Sequence, residues 1–144
     1  MSDHLNSDDF EHLQDRQGAE YWRAKQLVDS PFGKFLVRLT TAPYDELVQT
    51  ANVLIELLTR DHQTILNRTF ALYQLVAEDK RWMKERRVPH DLEIDQVMAY
   101  VRNRIISVRR DPQGRVDGSI SMRAKWDDEH LISFDLENGR LVCD

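Results

Sequence analysis

The sequence is poor in the residues that mark several protein classes. It has one cysteine, Cys143, so no internal disulfide can form and nothing points to a secreted disulfide scaffold. Only 5 glycines and 4 prolines occur, which excludes a collagen-like fibre and a Gly/Pro-rich linker chain. The richest apolar stretch, Val53 to Leu58, is interrupted by Glu56 and falls far short of a membrane-spanning helix. The first residues, Met-Ser-Asp-His-Leu-Asn-Ser-Asp-Asp, have neither the basic nor the apolar region of a secretory leader. A cytoplasmic location is the resulting expectation.

Chemical motifs are equally sparse. No Gly-rich phosphate loop and no Gly-x-Ser-x-Gly elbow is present. No His-Glu-x-x-His occurs, and one cysteine cannot build a Cys-rich zinc site. Cys143 lies beside Asp144, whose negative charge disfavours a neighbouring thiolate, and is a poor nucleophile candidate. Asp9 and His12 stand three apart, but one such pair makes no metal site. Asp127-Asp128-Glu129-His130 offers oxygen ligands for a hard cation without the glycine-bearing pattern of a calcium loop, and reads as an acidic hairpin loop. No cofactor, no metal and no catalytic residue is expected.

What remains is a chain of 144 residues and 17.0 kDa with 41% hydrophobic and 31% charged residues, the balance of a single globular domain. Its net charge of −5 is unevenly distributed. Residues 80–125 hold twelve bases against six acids, whereas residues 1–61 hold eleven acids against six bases. Either the acidic ends fold against the basic middle, or one sign faces a partner and steers its approach.

Hydrophobic spacing predicts helices first. Ser7, Asp8 and Asp9 look like the start of a helix over 8–28, weakened at Gly18. After Ser30-Pro31, the residues Phe32, Phe35, Leu36 and Leu39 fall at i, i+3, i+4 and i+7, the stripe of a short helix. Further helices are expected over 43–59, over 62–78 with a continuation toward Arg87, and over 91–104. Ile94, Val97, Met98 and Val101 could also form a self-associating stripe.

The period then changes. Ile106-Ser107-Val108 reads better as strand than as helix, and Asp111-Pro112-Gln113-Gly114 is a turn. Residues 116–126 alternate apolar and polar, as do Ile132, Phe134 and Leu136. Asn138-Gly139 marks a two-residue hairpin that pairs Glu137 with Arg140, Leu136 with Leu141 and Phe134 with Cys143. A loop centred on Asp128 would set Met122 opposite Phe134 and Ile120 opposite Leu136. The predicted fold is one α+β domain over 1–144, with residues 1–8 frayed. Residues 9–104 form a mainly helical half of four to six helices, packed on an antiparallel β-meander of three or four strands over 105–144.

The candidate binding cluster is Lys80, Arg81, Trp82, Lys84, Arg86 and Arg87. An aromatic among bases can anchor a protein interface or stack on a nucleobase. The simpler alternative is a Trp82 that caps the core, with cations favoured by the helix C-terminus. Arg109, Arg110 and Arg115 at a hairpin tip also suggest a winged helix. Asp91, Glu93 and Asp95 at the start of its recognition helix oppose that reading. The expected function is therefore a small acidic protein-interaction module without catalysis, such as an inhibitor, immunity protein, adaptor or chaperone-like partner, whose partner is another protein. The alternative is a nucleic-acid-binding regulator using the basic segment 80–115.

Overall fold

In the computed structural model, which describes residues 5–143, eight strands run through both halves of the chain. Strands β1 (Phe10–Gln14), β2 (Glu20–Ala24), β3 (Val28–Ser30) and β4 (Gly33–Leu39) precede three helices, α1 (Asp45–Arg60), α2 (His62–Ala77) and α3 (Lys80–Glu85). A 3-10 segment, Ile94–Tyr100, leads into β5 (Val101–Arg110), β6 (Val116–Ala124), β7 (Asp127–Glu137) and β8 (Arg140–Cys143). The sheet order is β1-β2-β4-β5-β6-β7-β8, and β3 pairs with β4 beside this path. The expected helical half on a meander of three or four strands is therefore wrong, and residues 9–104 are not mainly helical before α1.

Local chemistry explains the correction. The expected 8–28 helix is a hairpin. Asp15 Oδ1 accepts from the Gln17 and Ala19 amides, and Gly18 takes φ +85°, so the glycine makes a turn rather than weakening a helix. The expected helix after Pro31 is also a hairpin. Ser30 Oγ accepts from the Phe32 amide and donates to the Gly33 carbonyl, closing a Pro31-Phe32 turn. Phe35, Val37 and Leu39 are fully buried on one strand face. Phe35 and Leu39 satisfy both periods, whereas Val37 fits only the strand period.

Helices α1 and α2 lie where the apolar spacing puts them. The continuation of α2 toward Arg87 does not exist, because Asp79 breaks it and its carboxylate accepts from the Trp82 amide to start α3. The 91–104 helix shrinks to the 3-10 segment. Val101, Ile105, Ile106 and Val108 go into β5, as β-branched residues on a pleated surface favour. Residues 105–110 are strand. β5 pairs antiparallel with β6 but parallel with β4, Val37 beside Ile106 and Leu39 beside Val108, so α1 to α3 form the crossover that a parallel pair requires.

The last hairpin has the anticipated register, with Glu137 opposite Arg140 and Phe134 opposite Cys143. Asn138 and Gly139 both take positive φ, as a type I′ turn requires. The preceding register is two residues away from expectation: Ile120 faces Phe134 and Met122 faces Ile132. Lys125 and Trp126 form the turn, and the ladder shifts between Arg123 and Ala124. Trp126, 1% exposed, is pulled into the core at that turn.

One face of the sheet carries Val37, Leu39, Ile106, Val108, Ile120, Met122 and Phe134, all buried with Leu47, Leu54 and Leu58 of α1. α1 packs over β5 and β6. It approaches so closely at Gly118 that a Cβ there would lie 2.8 Å from Leu54 Cδ1 and 2.9 Å from Thr50 Cγ2. Tyr73 of α2 is buried, with its ring edge-on to Trp126 at 5.3 Å. Its hydroxyl donates to the Pro89 carbonyl and accepts from the Leu92 amide. Near the N-terminus, Asn52 exchanges two hydrogen bonds with the Leu5 backbone, and an Asn6–Asp9 capping box holds the 3-10 turn Ser7–Asp9. Residues 5–8 are thus tied down rather than frayed; residues 1–4, and Asp144, lie outside the described residues.

Candidate functional site

The six predicted binding residues divide into two groups. Lys80, Arg81, Lys84 and Arg87 are exposed, while Trp82 and Arg86 are drawn inward. The Trp82 indole Nε1 donates to the Trp126 carbonyl at 2.8 Å. The Arg86 guanidinium lies over the indole at 3.1 Å from the ring centroid and reaches Asp128 at 3.4 Å. A cation over an aromatic face is attractive, and here it fixes α3 to the turn between β6 and β7. One face of the indole is thereby covered, which opposes nucleobase stacking. Arg81 pairs with Glu85 one turn away at 3.4 Å, an exposed pair that contributes little to stability. Lys80, Lys84 and the Arg87 guanidinium make no ion pair among the described residues.

Folding also undoes part of the charge separation. Arg86 pairs with Asp128 and Arg110 with Glu46, joining the basic segment to acidic ones. Arg109 and Arg115 face Asp117 and Asp111 within the segment itself. The bases of 80–115 thus sit on and just after α3, on β5 and at the β5–β6 hairpin, with five of them, Arg81 included, beside carboxylates.

Next to α3 lies a feature that the spacing does not reveal. Leu72, Leu75 and Val76 of α2, with Trp126, His130, Leu131 and Ile132, line an apolar groove of about 110 Å³. Leu75 is 79% exposed and Leu131 53%, the extremes of apolar exposure on α2 and β7. The expected α2 stripe, Ile65, Leu66, Phe70, Tyr73, Val76 and Ala77, omits Leu72 and Leu75. Their presence off the stripe, three residues apart, is the signal that was there to be read. Leu131 keeps the strand alternation, since it stands opposite Arg123 on the outward face with Ser133 and is an apolar residue at an exposed position. Before it Asp127 makes a local turn: its Oδ1 accepts from the Glu129 and His130 amides, and its carboxylate lies 3.1 Å from His130 Nδ1. Burial alone would raise the Asp127 pKa; those two amides and the His130 ring outweigh it and hold the carboxyl below its ordinary value. The sequence 127–130 therefore serves its own turn.

The opposite face of the sheet is polar. Thr40, Ser107, Arg109, Asp117, Ser119, Asp135 and Glu137 line a shallow cleft of about 420 Å³, across which Arg109 pairs with Asp117 at 3.7 Å. These are the outward positions of the strands that bury Ile106, Val108, Ile120 and Phe134. Hydroxyls and carboxylates there can hydrogen-bond a polar molecule or water. At the far edge, His12 stacks on Trp22 at 4.5 Å and lies 3.5 Å from Glu20, while Asp9 closes its capping box, so the Asp9–His12 pair serves local structure. Cys143 is exposed at the end of β8.

Among the described residues, no group of three or more His, Cys, Asp or Glu could hold a metal ion, and no helix is long and apolar enough to cross a membrane. No curated protein matches the chain, and no solved structure does. Residues 9–144 match the family described as a domain of unknown function (DUF6985), and the chain belongs to that family.

Proposed function

We propose that the chain is a non-catalytic protein-interaction module of the cytoplasm, in the manner of an inhibitor, immunity protein, adaptor or chaperone-like partner. It docks another protein where α2, α3 and β7 meet. The observation that carries this reading is the apolar groove lined by Leu72, Leu75, Val76, Leu131 and Ile132, with Leu75 and Leu131 exposed, beside Lys80, Lys84 and Arg87. Interfaces combine an apolar centre with a polar rim, and rim charges set approach and specificity. Trp82 and Arg86 act as the support of this surface, and the exposed cations of α3 form its rim.

The test is capture of partners from the source cells by wild type and by Leu75→Asp, compared quantitatively by mass spectrometry. A specific protein recovered by wild type and lost with Leu75→Asp is the expected result. An identical set recovered by both would contradict the proposal. Retention of the wild type on heparin, lost in Lys80→Glu/Lys84→Glu, would favour the nucleic-acid alternative through its phosphate dependence.

A further inference from the structure

β7 is long and its outer neighbour β8 is short. β8 covers only Phe134–Glu137, so 131–133 pair with β6 on one side and with no strand on the other among the described residues, while 128–130 bulge out of the β6 ladder. The hydrogen-bond phase of this edge follows from the hairpin. A two-residue turn closes on a hydrogen-bonded pair, here Glu137 and Arg140. Counting back by twos, Asp135, Ser133 and Leu131 aim their N–H and C=O groups toward the β8 side. The Glu129 and His130 amides are already held by Asp127. Ser133 is opposite the position of Asp144, outside the described residues, and Leu131 has no backbone partner on that side among the described residues.

This edge coincides with the groove. Leu131 and Ile132 of this edge line it together with Leu72, Leu75 and Val76 of α2. Its Asp128 end abuts α3 through the Arg86–Asp128 and Trp82–Trp126 contacts, where Lys80, Lys84 and Arg87 stand without ion pairs among the described residues. A sheet edge supplies backbone affinity to an extended chain, and pockets for alternate side chains supply selectivity. A helix laid in the groove would leave the edge unpaired, and a basic segment would meet the α3 cations.

Resting on the docking surface proposed above, the geometry points to strand addition. The edge of β7 at Leu131, beyond the residues that β8 pairs, takes up an extended segment of the partner protein. An aliphatic side chain of that segment seats on the helix side against Leu72, Leu75 and Ile132, its alternate residues lie on the other face beside Leu131, and carboxylates at one end meet the α3 cations.

A display library of random peptides, selected on the full chain, tests this. Enriched peptides are expected to carry alternating aliphatic residues with Asp or Glu at one end. Leu75→Asp should weaken them. Methylation of a peptide nitrogen that pairs with the edge should weaken binding about ten-fold, the loss of one backbone hydrogen bond. Exchange of the Leu131 amide should slow in the complex. Because methylation alters the peptide, folding of the protein is not in question. If the peptides lose affinity with Leu75→Asp but tolerate methylation at every nitrogen and leave Leu131 exchange unchanged, strand addition is wrong and groove docking stands. If nothing is enriched, or if Leu75→Asp binds the selected peptides as wild type does, both readings fall. Concentration-dependent self-association that protects Leu131 would identify a second copy as the occupant and overturn the proposal.

Discussion

The indole of Trp82 reaches 44 positions along the chain to the Trp126 carbonyl, joining the shortest helix to the turn between two long strands. Arg86, stacked on the same indole, completes the clasp at Asp128. Trp82→Phe keeps the ring and leaves that carbonyl without its donor. It should cost about 1–2 kcal/mol, read as a lower urea midpoint. Lys80→Glu/Lys84→Glu touches no such contact and should change stability by no more than about 0.5 kcal/mol, while weakening partner binding. An equal stability loss in both variants would contradict this division between support and rim.

Gly118 sets how closely α1 lies on the sheet. The added methyl of Gly118→Ala would meet Leu54 and Thr50 at distances that real Cβ atoms essentially never show. The variant should lose about 1–3 kcal/mol from overpacking. Gly118→Ala combined with Leu54→Ala should recover part of that loss, because the two sites share one contact. Thermal melts of the four forms measure the coupling.

Tyr73 fastens the loop after α3. Removing its hydroxyl strands the Pro89 carbonyl and the Leu92 amide together. Tyr73→Phe should therefore cost about 1–3 kcal/mol despite unchanged ring packing. Amide exchange at Leu92 should accelerate. A variant as stable as wild type would show that water replaces the hydroxyl.

Asp127 gives the fold an acid-sensitive element. Its carboxyl titrates lower when folded than when unfolded, so its contribution is present above the unfolded pKa and is lost as pH falls through the folded value. Wild type should lose stability between about pH 5 and pH 2, and Asp127→Asn should show a shallower slope there. Denaturant midpoints across that range measure it. Parallel profiles would assign the acid limb to other carboxylates.

The parts of the fold legible in the sequence are those where one period excludes the other. Leu47, Val48, Ala51, Leu54 and Leu58 of α1 fit only a helix, and Ile120, Met122 and Ala124 of β6 fit only a strand. Phe35 and Leu39 fit both, and the Ser30 and Asp15 side-chain turns that decide between them are short-range hydrogen bonds rather than hydrophobic patterns. The parallel pairing of β4 with β5 carries no local signal at all, since Val37 and Ile106 are brought together only by the crossover. At the candidate site, aromatic-among-bases chemistry finds α3 but cannot assign sides. Whether Trp82 faces a partner or Trp126 depends on a turn whose register lies two residues from the simplest alternation. Leu75 and Leu131 become meaningful only when α2 and β7 stand beside each other.

The most direct measurement is an amide-exchange footprint of the full chain with and without the captured partner. Protection confined to the C-terminal turn of α2, to α3 and to residues 128–133 of β7 is the predicted result. Protection over the polar cleft of Ser107, Ser119 and Asp135, with those three segments unchanged, would contradict the account.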